Sequence, residues 1–211
     1  MINQSLIPLT YDWVIRRKLS GYKTVLDLGC SDGALMAKIN SDRKCKITGV
    51  DIFKPDLAKA KLTGVYQKLV HKDIMQLKLK QKFDVVIASQ VIEHLSKKEG
   101  RKLVDKMESL AGKRVIIGTT VGYLPYEPLQ GDDSGNIHQE HKSGWQVDEF
   151  RKLGYKIYGQ GTRIFYQENG ILRNVPHLTH PLFFVLSYLF SPLNYYFPKE
   201  SAYLQIAVKD M

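Results

Sequence analysis

The chain has 211 residues and a mass of 24.2 kDa, with 44% hydrophobic and 25% charged residues. These are globular values that suit one domain, which would bury about 70% of the surface exposed by its unfolded form and needs no disulfide or metal staple. A net charge of +10 admits an anionic partner such as nucleic acid, a phosphorylated substrate or a membrane surface, although the lysines are dispersed as on a solvated face. Cys30 and Cys45 have neither metal-ligand nor disulfide-framework spacing, so a reducing, cytoplasmic location is expected. Met1 to Thr10 has no basic start and no long apolar run, so no signal peptide is expected there.

In chain order, Leu6 to Leu19 reads as a leading helix. Val25, Leu26 and Leu28 then read as a buried parallel strand, Gly29 and Gly33 bracket a tight turn, and a helix continues to Ile39. A second strand, Lys46 to Val50, ends at Asp51, 22 positions after Gly29. That spacing is close to the ~20 residues at which an acid reaches a ribose diol in nucleotide-binding α/β folds. The turn lacks both G-x-G-x-x-G and the Lys and Ser/Thr of a Walker loop. It carries Asp27 and Asp32 instead, which repel a pyrophosphate. The ligand expected from the residues alone is therefore a nucleoside with a positive or zwitterionic tail.

Further strands are predicted at Tyr66–Val70, Phe83–Ala88 and Arg114–Ile117, with helices at Pro55–Leu62 and Lys97–Leu110. Alternating strands and helices indicate a parallel sheet covered on both faces. A long polar loop, Thr119 to Gly144, leads to a short helix at Val147–Leu153 and a strand at Lys156–Tyr158; the last strand is Leu204–Val208. Loops of that length are usually functional or mobile. Between the last two strands lies an aromatic, proline-containing insertion whose most apolar stretch, His180 to Phe190, is too short to span a bilayer. Lid, core helix and interfacial anchor all remain open for it.

VLDLGCSDG resembles the first motif of the class I S-adenosylmethionine-dependent methyltransferases, whose usual form ends in G-C-G-x-G. The resemblance implies that Asp27, Gly29, Cys30, Ser31 and Gly33 form the turn that cradles the methionine part. Ser31 stands where the family usually has glycine. Asp51 would bind the ribose hydroxyls, with Ile52 beside it. Asp73 would accept from the adenine amino group and Ile74 pack on the ring, and Ala88, Ser89 and Gln90 would neighbour the cofactor. The implied fold class is α/β: a Rossmann-like methyltransferase fold with a mostly parallel seven-stranded sheet, helices on both faces and a C-terminal cap insertion. The whole chain, 1–211, would be one methyltransferase domain, comprising a leading helix (1–22), a cofactor-binding core (23–161), the cap (162–200) and a final strand (201–211).

The segment Q-V-I-E-H, Gln90 to His94, with a later histidine resembles the divalent-metal sites of two methyltransferase groups. These are the small-RNA 3′-end 2′-O-methyltransferases and the ubiquinone-pathway O-methyltransferases. The set would be Glu93, His94 and His141, but Gln90 stands where the first glutamate should, so no metal is expected. His141 is the first candidate for the catalytic base and His94 the second, because imidazole titrates near neutral pH. His138 qualifies as a base on the same ground, and Tyr123 and Tyr126 are candidates for orienting a substrate. The function expected is methyl transfer from S-adenosyl-L-methionine to a small-molecule or lipid-like acceptor. The alternatives are an RNA-directed, metal-using 2′-O-methyltransferase and a non-catalytic cofactor-binding module. Peripheral membrane contact stays open, and the sequence does not give the oligomeric state.

Overall fold

The computed structural model describes residues 4–125, 136–167 and 170–211. Its strands are β1 (Thr24–Leu28), β2 (Lys46–Asp51), β3 (Tyr66–His71), β4 (Phe83–Ser89), β5 (Ala111–Thr120), β6 (Lys156–Thr162) and β7 (Ala202–Asp210). They form one sheet in the order β3-β2-β1-β4-β5-β7-β6. β1 to β5 run parallel, and β7 pairs antiparallel with both β5 and β6. The central strands are apolar on both faces, as a doubly covered parallel sheet requires. Leu26 and Leu28 enter one core with Leu103, Val104 and Met107, whereas Val25 enters the other with Val14, Ile15 and Met36.

The helices of the core are α1 (Tyr11–Leu19), α2 (Ala34–Ile39), α3 (Lys54–Thr63), α4 (Lys97–Leu110) and α5 (Val147–Lys152). α4 has the bounds the sequence predicts, because a capping box fixes its start: Ser96 accepts from the Glu99 N–H while the Glu99 carboxylate accepts from the Ser96 N–H. The leading helix starts later than expected. Gln4–Leu6 is a 3-10 turn, Pro8 disfavours helix at the residue before it, and Leu9 adopts a left-handed φ of 59°. β5, β6 and β7 all run longer than predicted, because antiparallel pairing continues from Arg114↔Asp210 to Thr120↔Leu204 and on to Thr162↔Ala202.

The insertion between β6 and β7, the segment expected to act as a cap and called so below, is a string of short helices: α6 (Arg163–Tyr166), α7 (Ile171–Asn174), α8 (His180–Leu189), α9 (Ser191–Tyr196) and α10 (Pro198–Ser201). α8 buries Ser187 and leaves Leu182, Phe184, Val185 and Leu189 exposed, which removes the core-helix reading of this segment. No helix among the described residues is long and apolar enough to cross a membrane. Tyr126 and the turn at 131–135 lie outside the described residues.

Candidate active site

The crevice at the carboxyl ends of β1, β2 and β4 is where ligands of open α/β sheets bind, because the strand order reverses about β1. The turn after β1 is built for close approach. Gly29 has φ 73° and donates to the Val50 carbonyl at 2.8 Å; a Cβ there would collide with the Val91 side chain. Gly33, φ 78°, has no room for a Cβ beneath Tyr66 and Ala60. Ser31 takes the left-handed conformation in which glycine is at ease, with φ 46°. Its N–H donates to Asp51 Oδ2 at 2.8 Å and its hydroxyl to Asp56 Oδ2 at 3.0 Å. Asp51 Oδ1 takes the Phe53 N–H at 2.8 Å. Each oxygen of the Asp51 carboxylate is thus fixed by one amide and retains acceptor capacity for a hydroxyl.

Asp27 lies beneath this turn, 4% exposed, and accepts from the Tyr66 hydroxyl at 2.7 Å. Burial pushes its carboxyl up to about 7 against the Tyr66 hydrogen bond, and the nearby Asp51 charge adds to the rise. Burial, then the Asp27 and Asp51 charges, push the buried Cys30 thiol up as well. Asp73 is half-buried, and its Oδ1 takes the Met75 N–H at 2.7 Å. Two of the predicted residues are buried in the core. Ile74 and Ala88 belong to the α4-side core, and the Ile74 carbonyl is one of three bound by Lys106. The exposed apolar residue at this edge is Ile52, 40% exposed at the end of β2.

The tip of β4 carries a residue that the sequence does not single out. Tyr11, at the start of α1, shares a 2.7 Å hydrogen bond with Ser89 Oγ. Its hydroxyl stands where a Cβ of Gly118 would be. Burial pushes the phenol up to about 12, so it stays protonated at neutral pH. The available signal was a glycine inside a strand, which marks close approach by another group. Gln90 follows with φ 56° and donates its N–H to the Gly118 carbonyl at 2.8 Å. Non-glycine residues held in that region cluster at functional sites.

Glu93, His94 and His141 come together, each offering a ligand atom within 4.8 Å of the others. Glu93 is fully buried; Oε2 accepts from the Thr119 hydroxyl at 2.9 Å, and Oε1 has no hydrogen-bond partner among the described residues. Burial pushes its carboxyl up to about 7. His94 Nδ1 faces the Glu140 carbonyl at 3.2 Å and His141 Nδ1 the Leu124 carbonyl at 2.7 Å, with ring centroids 4.9 Å apart. A carbonyl only accepts, so each Nδ1 carries the proton and the lone pair sits on Nε2. Burial holds His94 below its ordinary value, which keeps it neutral. His138 lies apart, exposed in the turn Ile137–Gln139.

The loop bearing His141 is anchored on three sides. Lys142 and Ser143 donate their N–H groups to the Glu93 carbonyl. Trp145 is fully buried beside Gly100 and Phe150, and its indole N–H donates to Ser143 Oγ at 3.1 Å. Gln205 of β7 donates to the carbonyls of Thr120 and Trp145 at 3.0 and 2.6 Å. Two cavities adjoin these elements. One, of about 700 Å³, runs from Tyr11 past Tyr166 and Leu204 to Val185 and Tyr188 of the cap. The other, about 410 Å³, lies between Tyr123 and the cap residues Arg163 and Gln167.

Residues 25–112 match a family model described as a methyltransferase domain. The ubiquinone biosynthesis O-methyltransferase of Pseudomonas paraeruginosa is 30% identical over 94 residues, covering 42% of this chain and 40% of the relative. The chain therefore spans about two fifths of the length of that relative. Among solved structures, the magnesium protoporphyrin IX methyltransferase from Synechocystis PCC 6803 with bound SAH covers 99% of this chain and 82% of its own, with TM-score 0.56 and 17% identity. The methyltransferase domain of bacterial CtHen1 covers all of both chains, with TM-score 0.58 and 18% identity. These likenesses extend over nearly the whole chain and are likenesses of fold.

Proposed function

We propose that this chain, a member of the class I S-adenosylmethionine-dependent methyltransferases, binds S-adenosylmethionine across the ends of β1, β2 and β4 and transfers its methyl group to a small apolar acceptor held beneath the cap. The observation that carries the reading is the Asp51 carboxylate, fixed by two amides beside a turn whose glycines have no room for side chains. The cofactor supplies an electrophilic methyl on a sulfonium. The chain's residues orient it: Asp51 toward the ribose, Asp27 and the turn toward the positive methionine end, Ile52 and Asp73 toward the base. Tyr11, Ser89 and Gln90 close the β4 tip, where the acceptor meets the methyl group. His141 or His94 accepts the acceptor's proton at Nε2, the nitrogen left basic by the Nδ1 hydrogen bonds. Isothermal calorimetry with S-adenosylhomocysteine tests the reading, and an absence of binding heat defeats it.

Asp27 gives the site a pH signature. Its native carboxyl holds its proton up to about 7, against an ordinary 3.8. The proton's contribution to stability is complete below about 4 and is lost as pH rises through about 7, an effect of roughly 4 kcal/mol for three units. Cofactor affinity should move the other way, since an ionised Asp27 favours a cationic ligand. Binding of S-adenosylmethionine is expected to tighten several-fold from pH 6 to pH 8, and Asp27→Asn should flatten that rise. An equal rise in the variant refutes the assignment.

A second reading is favoured by the orphaned Glu93 Oε1: Glu93, His94 and His141 would hold a divalent cation. The donor set fits, with one buried carboxylate and two imidazoles whose protons are already committed to carbonyls. Such an ion would polarise an acceptor hydroxyl as a Lewis acid. Gln90 adds only a neutral amide where a further anionic donor would strengthen the set. If the reading holds, Mg²⁺ or Mn²⁺ raises the melting temperature of wild type and not of His141→Ala, and chelation reverses the shift. Equal melting curves with and without metal leave the histidines as metal-free bases.

A further inference from the structure

We infer that the exposed apolar face of α8 and α9 docks on a lipid bilayer, and that the 700 Å³ cavity opens into it, so that the acceptor is an amphiphile taken from the membrane. This rests on the methyltransferase reading above. Only part of the apolar surface of the two helices is covered, where Phe183 packs on Phe165 and Tyr195 on Tyr158. An ordinary surface helix buries its apolar stripe and shows water its polar one. Here the buried residues are polar: Asn194 donates to Thr162 Oγ1 at 2.9 Å, and the Ser187 hydroxyl lies 3.3 Å from the same atom. This network pins the pair to β6 while Leu182, Leu189 and Tyr196 stand 60%, 67% and 69% exposed, with Phe190 and Leu193 between them in the chain and Phe197 just after. From His180 to Pro198 there is no Asp, Glu, Lys or Arg. A contiguous apolar surface of this kind marks an interaction site.

Two features select a bilayer over a second copy of the chain. Phe184, Val185 and Tyr188 belong both to the exposed face and to the cavity wall, and the wall continues to Tyr11 at the β4 tip. A second copy seated on that face would seal the cavity; a bilayer would feed it. Cations also lie beside α9. Lys18 Nζ sits 3.9 Å over the Tyr158 ring, which packs on Tyr195, and Arg17 next to it is exposed. Aromatic and aliphatic side chains with neighbouring cations are the combination that holds a short helix at an anionic interface.

The test is co-sedimentation of the full chain with vesicles of phosphatidylcholine alone and of phosphatidylcholine mixed with phosphatidylglycerol. Wild type is expected to sediment with both, more strongly with the anionic mixture. Leu182→Glu with Leu189→Glu, neither of which lines the cavity, should lose binding at least tenfold while its S-adenosylhomocysteine heat and melting temperature stay unchanged. Leu193→Asn provides an independent variant should the first fail to fold, and its binding should fall as well. For the cavity, cis-parinaric acid fluorescence should rise with wild type and not with Val185→Glu. The inference is overturned if wild type stays in the supernatant, if neither surface variant loses binding, if cis-parinaric acid binds wild type and Val185→Glu alike, or if sedimentation velocity shows a dimer that the variants abolish. Loss of the calorimetric heat in wild type instead overturns the methyltransferase reading beneath it.

Discussion

Asp51→Ala is expected to weaken S-adenosylhomocysteine binding by about 10²–10⁴-fold, the loss of two hydrogen bonds to a charged acceptor at roughly 1.5–3 kcal/mol each. The carboxylate does two jobs. It presents an acceptor at each oxygen, and it clamps the turn by taking the amides of Ser31 and Phe53. Alanine removes both, so Ser31 loses the tie that holds it at a positive φ. Asp51→Asn separates the two: the amide oxygen can keep one backbone bond while the charge is gone, and its affinity should fall between the others. Calorimetry on the three proteins checks this, and an unaltered affinity in Asp51→Ala would move the ribose elsewhere.

Trp145→Ala is expected to destabilise the fold by about 3–5 kcal/mol, the range for deleting a buried aromatic side chain. That is a large part of the 5–15 kcal/mol typical of a domain. The ring fills the space left by Gly100, stacks with Phe150 and lies under the Lys97 ammonium at 3.8 Å. Its indole N–H binds Ser143, two residues after His141. The loss should therefore reach the chemistry. Urea denaturation should show the lower midpoint, and methyl transfer should fall further than cofactor binding in the protein that remains folded. Trp145→Phe, which retains much of the volume but not the Ser143 bond, should cost less stability.

What the sequence made legible was local. The turn from Gly29 to Gly33, Asp51 at the end of β2 and the Ser96–Glu99 start of α4 are each written within a few neighbouring residues, and each is where the pattern placed it. Contacts set by distant pairing were hidden. Tyr11 reaches Ser89 across 78 positions, and its only local trace was Gly118, read there as a strand end. Ile74 matched a position in a motif, whereas its burial in the core beside α4 and the ammonium on its carbonyl are set by distant residues, Lys106 lying 32 positions away. The strands β5, β6 and β7 outran their predicted ends because antiparallel partners, not propensity, decide where they stop. The apolar run at 180–190 gave its composition but not its orientation, which depends on Thr162 binding Ser187 and Asn194.

The position of β7 has a consequence for how the molecule is assembled during synthesis. This strand lies between β5 and β6 in the sheet, yet it follows the entire cap in the chain. Until it emerges, β5 and β6 each present an open edge that could recruit a wrong strand. Gln205 travels on β7 as well, and its side chain joins the carbonyls of Thr120 and Trp145. Until then the loop bearing His141 lacks one of its three anchors, while those on Glu93 and around Trp145 lie upstream of β7. The strands that carry the turn after β1 and Asp51 are thus made early in synthesis, and the strand that joins β5 to β6 is made only after the whole insertion between β6 and β7.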